Sequence, residues 1–211
     1  MEDSFEHQVY SANVIEFVTV GREFCAWLEG VETQPRADFI STALKILPLL
    51  YLKASMLPKT ETMLDDFLEK AVTEEEYELI KDVVQAKMGP FDDYLEVFTA
   101  DMQRSDLPLT STVSENMADI YQDVKDFLMS YRTAVTEIMN DALTELNEHF
   151  MEHWGQSLVN VLRALHMVYY GAENLDEDEG DDNDRKPDYD DRNTDNWLLS
   201  RRQRDFREGA F

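Results

Sequence analysis

The side chains best suited to chemistry are His149, Glu152 and His153, in the sequence HFMEH. They match the H-x-x-E-H pattern of inverted zinc peptidases, in which two histidines one helical turn apart bind Zn²⁺ and the glutamate activates water. Five residues match easily by chance, and that peptidase fold is much larger than this chain. We therefore interpret both histidines as residues at the edge of a helical bundle, and we predict no metal and no cofactor.

Clustered carboxylates form a second candidate site. Glu115, Asp119 and Asp123 recur at helical spacing, so they share one helix face and could together hold Mg²⁺ or Mn²⁺. Helical pyrophosphohydrolases carry E-x-x-E followed by E-x-x-D. Glu75 and Glu78 fit the first half, but Glu115 reaches Asp119 by a four-residue step, so the second half fails. A metal-dependent hydrolase of this type is the alternative function.

An acidic loop is the third candidate. Asp92, Asp93, Glu96 and Asp101 lie within ten residues, in the least regular part of the predicted core. Loops on a rigid scaffold often carry function, so we regard these four as a candidate functional loop, with a solvated acidic turn as the simpler interpretation. We predict a single helical turn over residues 92–98.

The cysteine and motif content favours a non-catalytic chain. Cys25 is the only cysteine, lies among the apolar positions of the first predicted helix and has no histidine or basic partner nearby, so we predict a buried structural thiol. A single thiol permits no internal disulfide, which is typical of a reducing compartment. The sequence contains neither a Gly-rich phosphate loop nor a G-x-S-x-G nucleophile motif.

Apolar residues recur at three- and four-residue steps along most of the first 172 residues, which indicates amphipathic helices. The longest such stretch, 135–170, would form a helix of about 50 Å and serve as the spine of a bundle. Gly155 within it marks a local break or a close helix contact. The pattern predicts an all-α fold, a single up-and-down bundle of about five to seven helices. The other helices are predicted near residues 14–28, 36–57 (with a kink at Pro48), 74–87 (after a capping box at Thr73) and 113–131.

The charge limits the classes of partner. The chain has 211 residues with 45 acidic and 19 basic side chains, a formal charge of -26. Such a surface disfavours direct nucleic-acid binding and anionic membranes. The longest apolar run, 46–52, is too short to span a bilayer, and the acidic start is unlike a secretory signal. We expect a cytoplasmic protein whose partner presents a basic or apolar surface.

The composition changes after the predicted bundle domain, residues 1–172. Residues 173–195 contain 12 acids and 3 bases, which predicts a disordered acidic linker. Residues 196–211 combine apolar and basic side chains and carry a net charge of +2. This peptide either folds back on its own acidic domain or binds another protein. The candidate binding residues are Trp197, Leu198, Leu199, Arg201, Arg202, Arg204 and Phe206.

Several segments resemble a bacterial "domain of unknown function" family of small acidic helical proteins, and the likeness spans about residues 9–170. The resemblance implies a compact helical domain and assigns no reaction. We therefore favour a non-catalytic interaction or regulatory module that uses an acidic surface and a C-terminal linear peptide. The similar segments are VIEFV (14–18), LPLLYLKA (47–54), DYLEVF (93–98), SENMADIYQD (114–123) and WGQ (154–156).

Overall fold

The computed structural model describes residues 7–65, 67–95, 110–171 and 175, and the all-α prediction is confirmed for them. The predicted linker, apart from Leu175, and the C-terminal peptide lie outside the described residues, as do Glu96 and Asp101. The helices are α1 (Ala12–Glu29), α2 (Arg36–Ser55), α3 (Glu74–Met88), α4 (Val113–Tyr131), α5 (Thr136–His149) and α6 (Gly155–Gly171).

Helix α4 lies at the centre of the bundle, because it contacts α1, α3, α5 and α6. The apolar residues that recur once per turn of α4 are buried. The ring of Phe127 packs edge to face against that of Phe17 on α1, with the ring centres 5.6 Å apart. Gly21 lets α1 approach closely, since a Cβ there would lie 3.0 Å from a methyl of Val124. The bundle is therefore organised around α4, whereas the sequence suggested the 135–170 stretch. In the described part of the chain, no helix is both long and apolar enough to cross a membrane.

Helix boundaries follow local capping signals in the sequence. Thr73 and Glu76 form the predicted capping box at the start of α3, each side chain accepting the other's backbone N–H. Helix α1 begins after Ser11, two residues before the predicted stretch, and the Ser11 hydroxyl makes no capping hydrogen bond. Pro48 lies inside α2, whose bounds also agree with the sequence.

The predicted long helix contains a π-helical turn, Phe150–Trp154, between α5 and α6. The Gly155 N–H donates to the carbonyl of Phe150, five residues back, which breaks the α-helical hydrogen-bond pattern. A Cβ at Gly155 would lie 2.4 Å from that carbonyl oxygen, so a side chain does not fit. Of the two alternatives predicted at Gly155, the structure shows the local break, and the space for a side chain is taken by Phe150 of the preceding turn.

The helical turn predicted over residues 92–98 is wrong for residues 93–95. These form β1 (Asp93–Leu95), which pairs antiparallel with β2 (Thr110–Thr112). The amide of Asn116 donates to Tyr94 Oη, Ser111 Oγ and the Thr112 carbonyl, so this side chain fastens the strand pair to α4. Helical periodicity misses such short strands because they have too few residues to show an alternation.

Replacing Gly155 by alanine is expected to destabilise the fold, although alanine normally favours a helix over glycine by about 1 kcal/mol. The added methyl collides with backbone, and overpacking of this kind costs about 1–3 kcal/mol, or roughly 3–10 °C in melting temperature. Gly171→Ala is the matched control, because nothing lies within 4 Å of a Cβ there. Circular dichroism melts of both variants test this, and an unchanged Gly155→Ala melt would contradict it.

Candidate functional site

Asp92 of the candidate functional loop serves the structure of the fold. Its buried carboxylate accepts the backbone N–H of Ser114 at 2.9 Å and the Ser114 hydroxyl at 2.7 Å. Burial raises the pKa of Asp92, although both hydrogen bonds oppose that shift. Its neighbour Asp93 is exposed on β1. Through these two hydrogen bonds, Asp92 connects the residue before β1 to the start of α4.

The three carboxylates predicted to share one face of α4 have different partners. Glu115 accepts the Thr112 hydroxyl at 3.1 Å, at the first turn of the helix. Asp119 accepts the hydroxyl of Tyr77 from α3 at 2.8 Å. Asp123 contacts His149 of α5. Because α3 contacts one part of this face and α5 the next, Asp119 and Asp123 are bonded to different helices.

The contact between Asp123 and His149 is the closest approach among the predicted site residues. Asp123 Oδ1 lies 2.6 Å from His149 Nδ1, and His149 Nε2 lies 3.9 Å from Glu145. Burial raises the pKa of Asp123, and the hydrogen bond with His149 lowers it in part. Lys70 contacts Glu145 and lies 3.9 Å from Asp126. Along this network, the acidic side chains of Asp123, Glu145 and Asp126 alternate with those of His149 and Lys70.

His153 does not join His149 in a ligand set. Its side chain is 72% exposed, and its nearest acidic group is Glu152, which is 70% exposed and 3.9 Å away. The two imidazole ring centres are 6.3 Å apart. Across the described ranges, no three His, Cys, Asp or Glu side chains are grouped so that they could hold a metal ion. An open polar groove of about 480 Å³ lies beside these residues and is also lined by Asp119 and Asp123.

An irregular segment over residues 57–65 and 67–72, which we call the strap, contacts α4 and α5. The carboxylate of Asp141 on α5 accepts the backbone N–H groups of Met63 at 2.7 Å and Leu64 at 2.8 Å. Near the other end of the strap, Asp126 Oδ1 accepts the N–H groups of Ala71 at 2.8 Å and Val72 at 2.9 Å. Each carboxylate therefore binds two consecutive backbone donors.

Further polar side chains of α5 hold the strap on the N-terminal side of Met63. The amide of Asn140 donates to the Glu61 carbonyl at 2.7 Å, and the amide of Asn147 donates to the Pro58 carbonyl at 2.9 Å. Sequence reasoning missed this role. The available signal was a line of polar residues at three- and four-residue steps, Asn140, Thr144 and Asn147, beside the apolar stripe of α5.

The prediction of a buried structural thiol at Cys25 is confirmed. The residue is 3% exposed, and burial raises its pKa to about 12. Reactive cysteines need a lowered pKa and solvent access. Cys25 therefore belongs to the packing between α1 and its neighbours.

Taken together, these contacts define an acidic helical bundle whose buried polar side chains fasten an irregular strap and a short strand pair. The model of DUF5063, a domain of unknown function, matches residues 8–171, and the chain belongs to that family. A crystal structure of protein BF1032 from Bacteroides fragilis is similar, with 46% sequence identity and a TM-score of 0.70. The match covers 79% of this chain and 98% of that one. No curated protein matches the chain.

Asp126→Ala is expected to lower stability, because it leaves the N–H groups of Ala71 and Val72 without their acceptor. Losing the partner of a buried polar group costs about 1–3 kcal/mol, so we expect a total of about 2–4 kcal/mol and a melting temperature lower by roughly 5–15 °C. Asp126→Asn is the matched control, since its side-chain oxygen can accept both hydrogen bonds. Equal losses in the two variants, measured by thermal unfolding, would show that the hydrogen bonds do not matter.

Asp119→Asn is expected to change the pH dependence of stability. Burial raises the pKa of Asp119, while the Tyr77 hydrogen bond lowers it and Glu115 raises it further. A raised folded-state pKa contributes stability below the unfolded-state pKa, and that contribution is lost as the pH rises through the folded-state value. The asparagine variant lacks this loss, so its melting temperature should rise relative to that of wild type as the pH rises above about 4, the ordinary pKa of an aspartate.

Glu152→Gln makes the same charge change at an exposed position and controls for net charge in this comparison. Melting curves of the three proteins across this pH range provide the test. If Asp119→Asn instead loses stability relative to wild type as the pH rises, the charged carboxylate of Asp119 stabilises the fold and the prediction is wrong.

Proposed function

We propose that this chain is a non-catalytic interaction or regulatory module that binds a protein partner in the cytoplasm. One observation carries the proposal: the acidic side chains that could do chemistry are already bonded within the domain. Asp92 accepts from Ser114, Asp119 from Tyr77, and Asp123 contacts His149. A general acid or a metal ligand needs a free position for its substrate or ion. These contacts favour a structural use of the carboxylates and leave binding as the function.

The charge of the bundle supports a basic partner surface. Residues 1–172 contain 31 acidic and 12 basic side chains. A surface of one sign attracts a partner of the opposite sign and speeds their encounter, an effect that salt weakens. Some large apolar side chains are also more than half exposed, including Leu52 and Leu79. We infer a partner surface that combines Lys or Arg with apolar groups.

The C-terminal peptide is the second part of the proposal. Its aromatic, leucine and arginine side chains, from Trp197 to Phe206, are of the types that anchor linear peptides on partner proteins. The acidic segment before it gives the peptide a tether. We propose that this peptide contributes to partner binding or binds its own domain in competition with a partner.

The alternative is a metal-dependent hydrolase. The observation that favours it is the polar groove, which Asp119, Asp123, Glu152 and both His149 and His153 line together. A bound ion raises thermal stability by mass action. A rise in melting temperature with Mg²⁺ or Mn²⁺ that disappears in Asp119→Ala would favour the hydrolase over the interaction module.

Affinity capture from cells that encode the chain tests the proposed function. We compare the full chain with a version ending at Ala172, after confirming by circular dichroism that both melt cooperatively. We expect the full chain to retain a protein with a basic surface, less of it at high salt, and the shortened version to retain less. Capture of the same partners by both versions would remove the peptide from the proposal. Failure of both versions to retain a basic partner would remove the proposal itself.

A further inference from the structure

We propose that the outer edge of the strap, formed by Met63 and Phe67, is the contact through which the chain binds a protein whose apolar patch is bordered by Lys and Arg side chains. This inference rests on the proposed function and assigns it to a place on the surface. The strap is the longest irregular segment between two helices in the described part of the chain. Segments of this kind on rigid scaffolds often carry binding residues.

The outer edge of the strap is exposed to solvent. The side chain of Phe67 is fully exposed, and that of Met63 is 54% exposed. The neighbouring Leu64 and Leu68 are partly buried, and Leu68 packs against the hydrophobic core. The strap therefore has an inner edge that belongs to the fold and an outer edge with an aromatic ring in solvent. Burying one such ring against a partner removes apolar surface from water and favours binding.

The strap is held in place by hydrogen bonds on both sides of Phe67. Single exposed apolar side chains are common, so exposure alone decides little. Here, however, Asp141 binds the backbone just before Phe67 and Asp126 binds it just after. A segment held on both sides loses little conformational entropy on binding, which strengthens association without any new contact. The buried carboxylates hold in place a segment whose own outer side chains contribute little to the core.

The charged residues next to Phe67 in the sequence indicate which kind of partner surface would bind there. Asp65 and Asp66 precede Phe67 in the sequence, and Glu69 follows it. The nearest base, Lys70, contacts Glu145 on α5. Phe67 is therefore bordered by acidic groups, which favours a partner patch bordered by bases. A second copy of this chain would bring the same acidic border and be repelled.

Site-specific photo-crosslinking in cells that encode the chain tests this inference. The full chain carries a benzoylphenylalanine in place of Phe67 or, as the matched control, in place of Leu79. Leu79 is also an exposed apolar residue, 63% exposed, and follows the acidic run Glu74–Glu76 and Glu78, but it lies on the regular helix α3. The expected result is one discrete adduct from position 67, about tenfold more abundant than from position 79, as for a central anchor compared with a peripheral residue.

The chemistry of the adduct decides the outcome. Mass spectrometry of the crosslinked partner peptide is expected to find a segment with a net positive charge. Similar adduct yields at both positions, a crosslinked peptide without excess positive charge, a second copy of this chain as the partner, or no adduct would each overturn the inference.

A second variant separates binding from folding. Phe67→Ala should melt within about 1 °C of wild type, because the ring is exposed and removes little apolar surface from water. A clearly lower melting temperature would mean that Phe67 packs within the fold and would overturn the inference. If the affinity capture retains a basic partner while position 67 forms no adduct, this inference fails and the proposed function stands. If neither experiment finds a basic partner, both fail.

Discussion

Two buried carboxylates, each accepting two consecutive backbone N–H groups, hold the irregular strap on the helical bundle. Asp141 binds Met63 and Leu64, and Asp126 binds Ala71 and Val72. A charged group is costly to bury unless hydrogen bonds replace its water. Here the donors come from a segment that forms no helix or strand of its own, so the carboxylate and the strap satisfy each other.

The same principle explains the other acidic residues of the bundle. Asp92 bonds to Ser114 and joins the residues before β1 to the start of α4, and Asp119 bonds to Tyr77 and adds a polar contact to the packing of α3 on α4. Burial raises the pKa of both carboxyls, and the hydrogen bonds reduce that penalty. Buried acidic residues such as Asp92 thus connect segments inside the fold, whereas exposed ones such as Glu152 carry charge at the surface. The interaction module that we propose uses the second group.

The sequence predicted the helices well because their signals are local and periodic. The capping box at Thr73, the boundary at Pro35 and the apolar spacing of α4 each agree with the structure. The π-helical turn was also visible in principle. Leu146, Phe150, Trp154 and Leu158 follow one another by four residues three times, which drifts around an α-helix unless an extra residue is taken up.

The candidate site was harder to predict, because it depends on partners far apart in the sequence. Asp126 continues the acidic spacing of α4 in the sequence, yet it is buried and accepts the N–H groups of Ala71 and Val72. The match of His149, Glu152 and His153 to a zinc motif assumed a regular helix. The π-helical turn begins directly after His149 and contains His153, and Asp123 contacts His149. Tertiary contacts of this kind leave little trace in one sequence.

Amide hydrogen exchange of the full chain tests the central claim most directly, since it measures whether the strap is held by these two carboxylates. The account predicts that the N–H groups of Met63, Leu64, Ala71 and Val72 exchange as slowly as those in the middle of α4, although the strap has no secondary structure. Exchange of these four groups at the rate of an unstructured peptide would contradict it.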